Sequence, residues 1–266
     1  MKQISILGCG WLGLPLAEAL LWEKFAVNGS TTSETKLLGL KNLGISPFLI
    51  ALNENEITGN IDGFLENSEI LIIDIPPKLR SEIQESFISK IEVLIPFIEK
   101  AKVEKVLFVS STSVYNDSDL MVDENTIAFP ETESGKQLLM VETMLLANKN
   151  FETTIIRFGG LIGKDRNPIK FLAGKKEIEN PNAPINFIHQ TDCIGIIIKI
   201  IELNVWNEIF NGVAPFHPTR KEYYCKKALE FGLVLPEFNE SKPSIGKTVL
   251  SEKVEKVLGY TFLGEI

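Results

Sequence analysis

Short apolar runs rich in Ile, Val and Phe alternate along this chain with longer stretches in which apolar residues return every three or four positions. The first pattern fits buried strands and the second amphipathic helices, and their alternation signals strand-helix-strand units on a parallel sheet. The runs predict strands near 3–7, 25–30, 46–51, 69–75, 104–110 and 153–158, with helices near 11–23, 34–43, 79–101 and 133–148. The stretch Glu69-Ile70-Leu71-Ile72-Ile73-Asp74 is nearly continuous in apolar residues, as a central strand covered on both faces must be. After Gly159 the texture changes, because Gly163, Pro168, Gly174, Pro181 and Pro184 break the chain into short pieces. A helix over 192–202 and a strand near 207–211 can rejoin the sheet, and further helices are expected near 219–231 and 250–258. The expectation is an α/β, Rossmann-like, doubly wound parallel sheet built from residues 1–160 and 185–212. Residues 161–184 and 213–266 would form a smaller, discontinuous C-terminal substrate-binding region.

Composition narrows the function classes. The 266 residues carry 27 Lys and Arg against 35 Asp and Glu, a net charge of −8, with no dense basic block, so nucleic acid and membrane surfaces are not expected partners. Cys9, Cys193 and Cys225 are widely spaced, which argues against a disulfide framework and a thiolate metal site and fits a reducing compartment. His189 and His217 have no partner at metal-ligand spacing, so no metal is expected. Lys2, the apolar stretch from Ile4 to Leu16 and Ala17-Glu18-Ala19 imitate a secretory signal. Gly8, Gly10, Gly13 and Pro15 are poor company for an apolar signal helix, and no run approaches the roughly 18 apolar residues of a membrane span. A cytoplasmic protein is the expectation.

Those glycines have a better explanation. Gly8-Cys9-Gly10-Trp11-Leu12-Gly13 follows the first strand and opens the first helix. In a dinucleotide-binding turn Gly8 would permit the tight bend, Gly10 the close approach of a diphosphate, and Gly13 the packing of helix on sheet. The helix start at Trp11 and Leu12 would supply unpaired N–H groups to the anion. At the end of the second strand Ser30 stands where an acid would hold the adenosine ribose, so a 2′-phosphate is not repelled. Ser30, Thr31, Thr32, Ser33 and Lys36 offer it hydroxyls and a cation, which favours NADP over NAD. Two alternatives stay open: Glu34 is the ribose acid if the strand ends later, or the hydroxyls merely cap the next helix.

The fifth strand ends in Ser110-Ser111-Thr112-Ser113-Val114-Tyr115, a run of hydroxyls at the carboxyl edge of the sheet, where ligands of open parallel sheets bind. With the glycine turn, Arg157-Phe158-Gly159-Gly160-Leu161-Ile162-Gly163, Phe187-Ile188-His189-Gln190-Thr191-Asp192, Ile209-Phe210-Asn211-Gly212 and Leu258-Gly259-Tyr260, this segment resembles the extended short-chain dehydrogenase/reductases, the NAD-dependent epimerase/dehydratase family, in an atypical form. The resemblance implies that Ser111 orients substrate, that Ser110, Ile75 and Pro76 lie along the cofactor, and that Lys136 binds the nicotinamide ribose. It also implies a homodimer through the helices near 79–101 and 133–148.

The family's acid/base pair is Tyr-x-x-x-Lys, and here Thr132 stands in the Tyr position before Lys136. An aliphatic hydroxyl lacks the ring resonance that stabilises a phenolate, so a neighbouring ammonium does not make it a comparable base near pH 7. Tyr115, Asp117 and Glu133 are the nearest replacements by sequence, although Tyr115 also reads as a packed residue with a tethered hydroxyl. His189 and Asp192 read as the start of a helix that Thr191 or Asp192 caps, and Trp11 as a packing residue. Arg157 either faces substrate or pairs with a carboxylate. Prolines 76 and 77 either line the cofactor or break the strand. Two functions follow: an NAD(P)-dependent oxidoreductase or nucleotide-sugar epimerase/dehydratase-like enzyme acting on a small sugar-like hydroxyl compound, or a catalytically silent NAD(P)-binding module.

Overall fold

A computed structural model of the chain describes residues 2–77, 85–118 and 120–265. Seven strands form one sheet: β1 (Gln3–Leu7), β2 (Ala26–Thr31), β3 (Ser46–Leu49), β4 (Ser68–Ile73), β5 (Lys105–Ser111), β6 (Glu152–Phe158) and β7 (Ile209–Gly212). Their order is β7-β6-β5-β4-β1-β2-β3 and every neighbouring pair is parallel. The order reverses between β1 and β4, so a crevice opens beyond the carboxyl ends of those two strands.

Alternation along the strands builds two cores. Ile4 and Ile6 of β1 and Ile70 and Ile72 of β4 point to one face, where they meet α1 (Gly13–Trp22), α6 (Gln190–Leu203) and α8 (Glu252–Leu258). Leu7, Leu71 and Ile73 point to the other, against α3 (Ile61–Leu65), α4 (Phe87–Ala101) and α5 (Glu133–Ala147). Both faces of the sheet are thus covered, and each fully buried Leu, Ile or Phe contributes about 1.5–3 kcal/mol. A third, smaller core joins Ile169, Ile185, Phe187 and Phe238 to Tyr223, Tyr224 and Ala228 of α7 (Arg220–Glu230).

The apolar patterning located the large elements, and the differences have local causes. The stretch expected as a helix over 34–43 splits into a 3-10 turn at Glu34–Lys36 and α2 (Leu37–Asn42), and the Ser33 hydroxyl pairs with Thr35 instead of capping a backbone N–H. The expected strand at 69–75 stops at Ile73, before Pro76 and Pro77. Of the helix expected over 79–101, residues 79–84 lie outside the described residues; α4 itself starts after Ser86, whose hydroxyl accepts from the Ser89 N–H. Short ladders pair Ala51–Leu52 with Ile57–Thr58, Met121–Val122 with Thr248–Val249, and Gly160–Ile162 with Phe187–His189.

One cap differs from expectation. α6 is capped by His189, whose Nδ1 accepts from the Thr191 N–H, and not by Thr191 or Asp192. Asp192, fully buried, instead accepts hydrogen bonds from the Tyr260 hydroxyl at 2.9 Å and from the Leu263 and Gly264 N–H groups at 2.7 and 3.0 Å. Its carboxylate therefore ties the segment after α8 to the start of α6. Among the described residues no helix is long and apolar enough to cross a membrane.

Candidate functional site

The glycine turn joins β1 to α1 at the crevice. Gly8 has φ +109°, and a Cβ there would lie 2.3 Å from the Asp74 carbonyl; a Cβ on Gly13 would lie 2.2 Å from the Gly8 carbonyl. The fold itself requires both glycines. A Cβ on Gly10, in contrast, would meet nothing within 4 Å, so that stretch of backbone stands open. It lines a cleft of about 230 Å³ together with Gly8, Ser30, Thr31, Thr32 and Lys36 on one side and Asp74, Ile75, Pro76 and Lys90 on the other.

The side chains around the turn brace it. The Ser30 hydroxyl accepts from the Gly8 N–H at 2.9 Å, and its carbonyl accepts from the Cys9 N–H at 2.8 Å. Thr31 accepts from the Ser33 N–H, while Thr32 and Lys36 are exposed at the cleft. Asp74 lies against the turn: its N–H donates to the Leu7 carbonyl and its carboxyl accepts from the Gly13 N–H. Burial pushes the Asp74 carboxyl up to about 7, against the pull of that bond. Burial, with the nearby Asp74 charge, pushes the Cys9 thiol up to about 12, which leaves it un-ionised and poorly nucleophilic at neutral pH.

Trp11 turns its side chain across the crevice to the segment after β6. Its indole N–H donates to Asp165 at 2.9 Å, the Arg166 guanidinium lies 5.0 Å from the ring centre, and a Cβ on Gly163 would lie 2.8 Å from the ring. Gln190 donates to the Trp11 carbonyl at 2.6 Å. Trp11 is thus a packing residue that clasps residues 163–166 to the turn.

The hydroxyl segment is built differently, because its polar groups bind one another. Ser110 donates to Glu142 at 2.6 Å, and the Arg157 guanidinium grips the same carboxylate, Nη2 to Oε2 at 2.6 Å. Glu142 and Arg157 are 1% and 4% exposed, so the ion pair is buried and supported by hydrogen bonds on both partners. Arg157 therefore pairs with a carboxylate and does not face the crevice. It also donates to the Tyr115 hydroxyl at 2.7 Å, and that hydroxyl has acceptors in the Asp123 carbonyl and Asn211. Burial raises the Tyr115 pKa despite the pull of Arg157. As a proton-transfer candidate Tyr115 is spent; the packed reading with a tethered hydroxyl describes it.

Ser111 accepts from the Ser113 N–H at 3.1 Å, and among the described residues its own hydroxyl proton has no acceptor. Thr132 caps α5, accepting from the Gly135 N–H at 3.1 Å. A Cβ on Gly135 would lie 2.3 Å from the Ser113 carbonyl, so the α5 start, with exposed Lys136, packs directly on the hydroxyl segment. The fold therefore brings Ser111, Thr132 and Lys136 into one neighbourhood. Asp117 pairs with Lys247 at 2.8 Å, and Glu133 accepts from Gln137 at 2.9 Å. Sequence reasoning missed Glu142, yet a signal was present: a carboxylate on the same helical face as Leu138, Val141 and Leu145 needs a buried partner.

The chain is 31% identical over 265 residues to protein YeeZ of Escherichia coli, an alignment covering 98% of this chain and 96% of that protein. The chain belongs to the YeeZ family. The chloroplastic epimerase family protein SDR39U1 homolog of Arabidopsis thaliana is similar at 24% identity, covering 84% of this chain and 69% of that one. Among solved structures, UDP-glucuronic acid 4-epimerase of Bacillus cereus in complex with NAD superposes with a TM-score of 0.78 at 17% identity, covering 99% and 94% of the two chains. No family model matches the chain. Within this YeeZ-family chain the fold is that of the extended short-chain dehydrogenase/reductases.

Proposed function

We propose that this protein binds NADP, in preference to NAD, at the glycine turn and acts as an oxidoreductase or epimerase/dehydratase-like enzyme on a small sugar-like hydroxyl compound. The observation that carries the reading is Gly10: the fold leaves it in open space at the cleft, where a missing side chain matters only to something arriving from outside. The B. cereus epimerase of like fold holds NAD, which supports a dinucleotide at this turn. In the cleft the diphosphate would lie on the N–H groups of Trp11 and Leu12, with Ile75 and Pro76 along its other edge. Exposed Thr32 and Lys36, without an acid at position 30, support the 2′-phosphate.

When bound, the dinucleotide supplies hydride transfer. Lys136 would hold the nicotinamide ribose, and Ser111 would donate its free proton to a substrate hydroxyl or carbonyl and so orient it. The homodimer through α4 and α5 remains part of this proposal. So does the division into a dinucleotide-binding domain at 1–160 and 185–212 and a substrate-binding region at 161–184 and 213–266. A second reading has a specific observation behind it: Thr132 is occupied as a helix cap and the Tyr115 hydroxyl is tethered, so neither of these two hydroxyls is free to take the family tyrosine's part. On that reading the protein is a silent module that binds dinucleotide without chemistry.

Parallel calorimetric titrations with NADPH and NADH, on protein stripped of carried-over nucleotide, test the common core. Saturable binding, several-fold tighter for NADPH, is expected, and binding of neither would overturn the assignment. Turnover with a panel of hydroxyl, keto and nucleotide-sugar compounds that disappears in Ser111→Ala and Lys136→Ala separates enzyme from silent module.

A further inference from the structure

Asp74 is an acid set where the proposed dinucleotide would meet α1. It follows β4 directly and lines the glycine-turn cleft together with Gly8 and Gly10. Its carboxyl accepts from the Gly13 N–H, and a Cβ on Gly13 would lie 3.0 Å from its Oδ2. Gly13 is the first residue of α1, so this N–H is one of the donors at the helix start that have no partner within the helix. The fold therefore sets a carboxyl group on the same positive helix end that a diphosphate would use. An acid has two opposite effects at that position. Ionised, it only accepts hydrogen bonds and places a negative charge beside the arriving anion; protonated, it carries no charge and has an O–H to donate.

The surroundings do little to hold the charged form. Among the described residues no cation forms an ion pair with Asp74. Lys36, after β2, and Lys90, on α4, line the same cleft, but Lys36 is exposed to solvent and Lys90 is paired with Glu85. Cys9 in the turn and Cys193 on α6 lie near enough to feel the Asp74 charge; burial first, and that charge with it, raises the pKa of both thiols, so neither is ionised at neutral pH. Burial also pushes the Asp74 carboxyl itself up to about 7, so that both of its forms are populated near neutral pH.

We propose that Asp74 is a proton switch on dinucleotide binding: the diphosphate is held at the α1 start with Asp74 neutral, so that binding to the ionised protein draws one proton from solvent onto this carboxyl. Two anions crowded at one helix end raise the cost of keeping both charged, and the carboxyl is the one that takes a proton. The consequence is regulatory, because the same protein grips its cofactor as pH falls towards 6 and releases it as pH rises past 8. The inference rests on the dinucleotide reading of the glycine turn given above.

The test titrates NADPH calorimetrically into wild type and Asp74→Asn across the range from about pH 6 to about pH 8.5. Between about pH 7 and 8.5 the wild-type Kd should rise about tenfold, whereas Asp74→Asn, which keeps an acceptor for Gly13 and cannot ionise, should change less than about twofold. The 2′-phosphate of NADPH titrates near 6 and acts alike in both proteins. A second measurement needs only wild type: titrations at about pH 8 in Tris and in Hepes, whose ionisation enthalpies differ, should show uptake of about 0.9 proton per NADPH bound. Uptake below about 0.2 proton, or the same pH profile in a folded Asp74→Asn, would overturn the switch and leave the dinucleotide assignment standing. Absence of NADPH binding at every pH would overturn both.

Discussion

The two halves of the sheet's carboxyl edge are organised in opposite ways. At the glycine turn the side chains brace the backbone from behind: Ser30 holds the Gly8 N–H, Asp74 holds the Gly13 N–H, and Gly10 is left bare toward the cleft. At the hydroxyl segment the polar groups turn inward, where Ser110, Tyr115, Arg157 and Glu142 satisfy one another beneath the edge. The difference teaches that hydroxyls and charges gathered at a sheet edge are not by themselves chemistry. What distinguishes a candidate site is surface that the fold leaves reachable, and at this edge the open face of Gly10 and the exposed Lys136 provide it.

The inward network is the part most sensitive to loss. Glu142→Ala strands a buried guanidinium, which should cost about 3–5 kcal/mol in chemical denaturation. A cost below about 1 kcal/mol would mean that the pair is far better hydrated than its 1% and 4% exposures indicate. Next in size is the brace of the turn. Gly8→Ala places a Cβ at positive φ and against the Asp74 carbonyl, at a cost of about 2 kcal/mol or more, measured as a fall in unfolding midpoint.

A further effect is a pH dependence carried by Asp74. Its carboxyl titrates near 7 in the folded protein against 3.8 for an ordinary aspartate, so between those values the folded state holds the extra proton. Stability should therefore fall as pH rises from about 4 to about 7 and then level off. Asp74→Asn keeps an acceptor for Gly13 and should lose this component of the slope, gaining on wild type above pH 7. Identical slopes in a urea series across that window would show that Asp74 ionises as freely as in the unfolded chain.

Much of this architecture was legible in the sequence because it rests on local periodicity. The alternation in β1 and β4 located the sheet, and the spacing of Gly8 and Gly13 after the first strand marked the turn. Partnerships over long separations were not legible: Arg157 with Glu142, Asp192 with Tyr260, and Asp74 with Gly13 are contacts that the fold makes. The paired two-residue ladders carry no period to read. Thr132 was recognised as a departure from Tyr, but its employment as the α5 cap follows from where the helix begins.

The proposed function requires that the Gly10 backbone be kept bare for a dinucleotide diphosphate. The direct measurement is a calorimetric NADPH titration of wild type beside Gly10→Ala, with thermal unfolding of both. Because a Cβ at Gly10 meets nothing in the protein, Gly10→Ala should unfold within a degree or two of wild type yet bind NADPH at least tenfold more weakly. Equal NADPH affinity in the two proteins would contradict the claim.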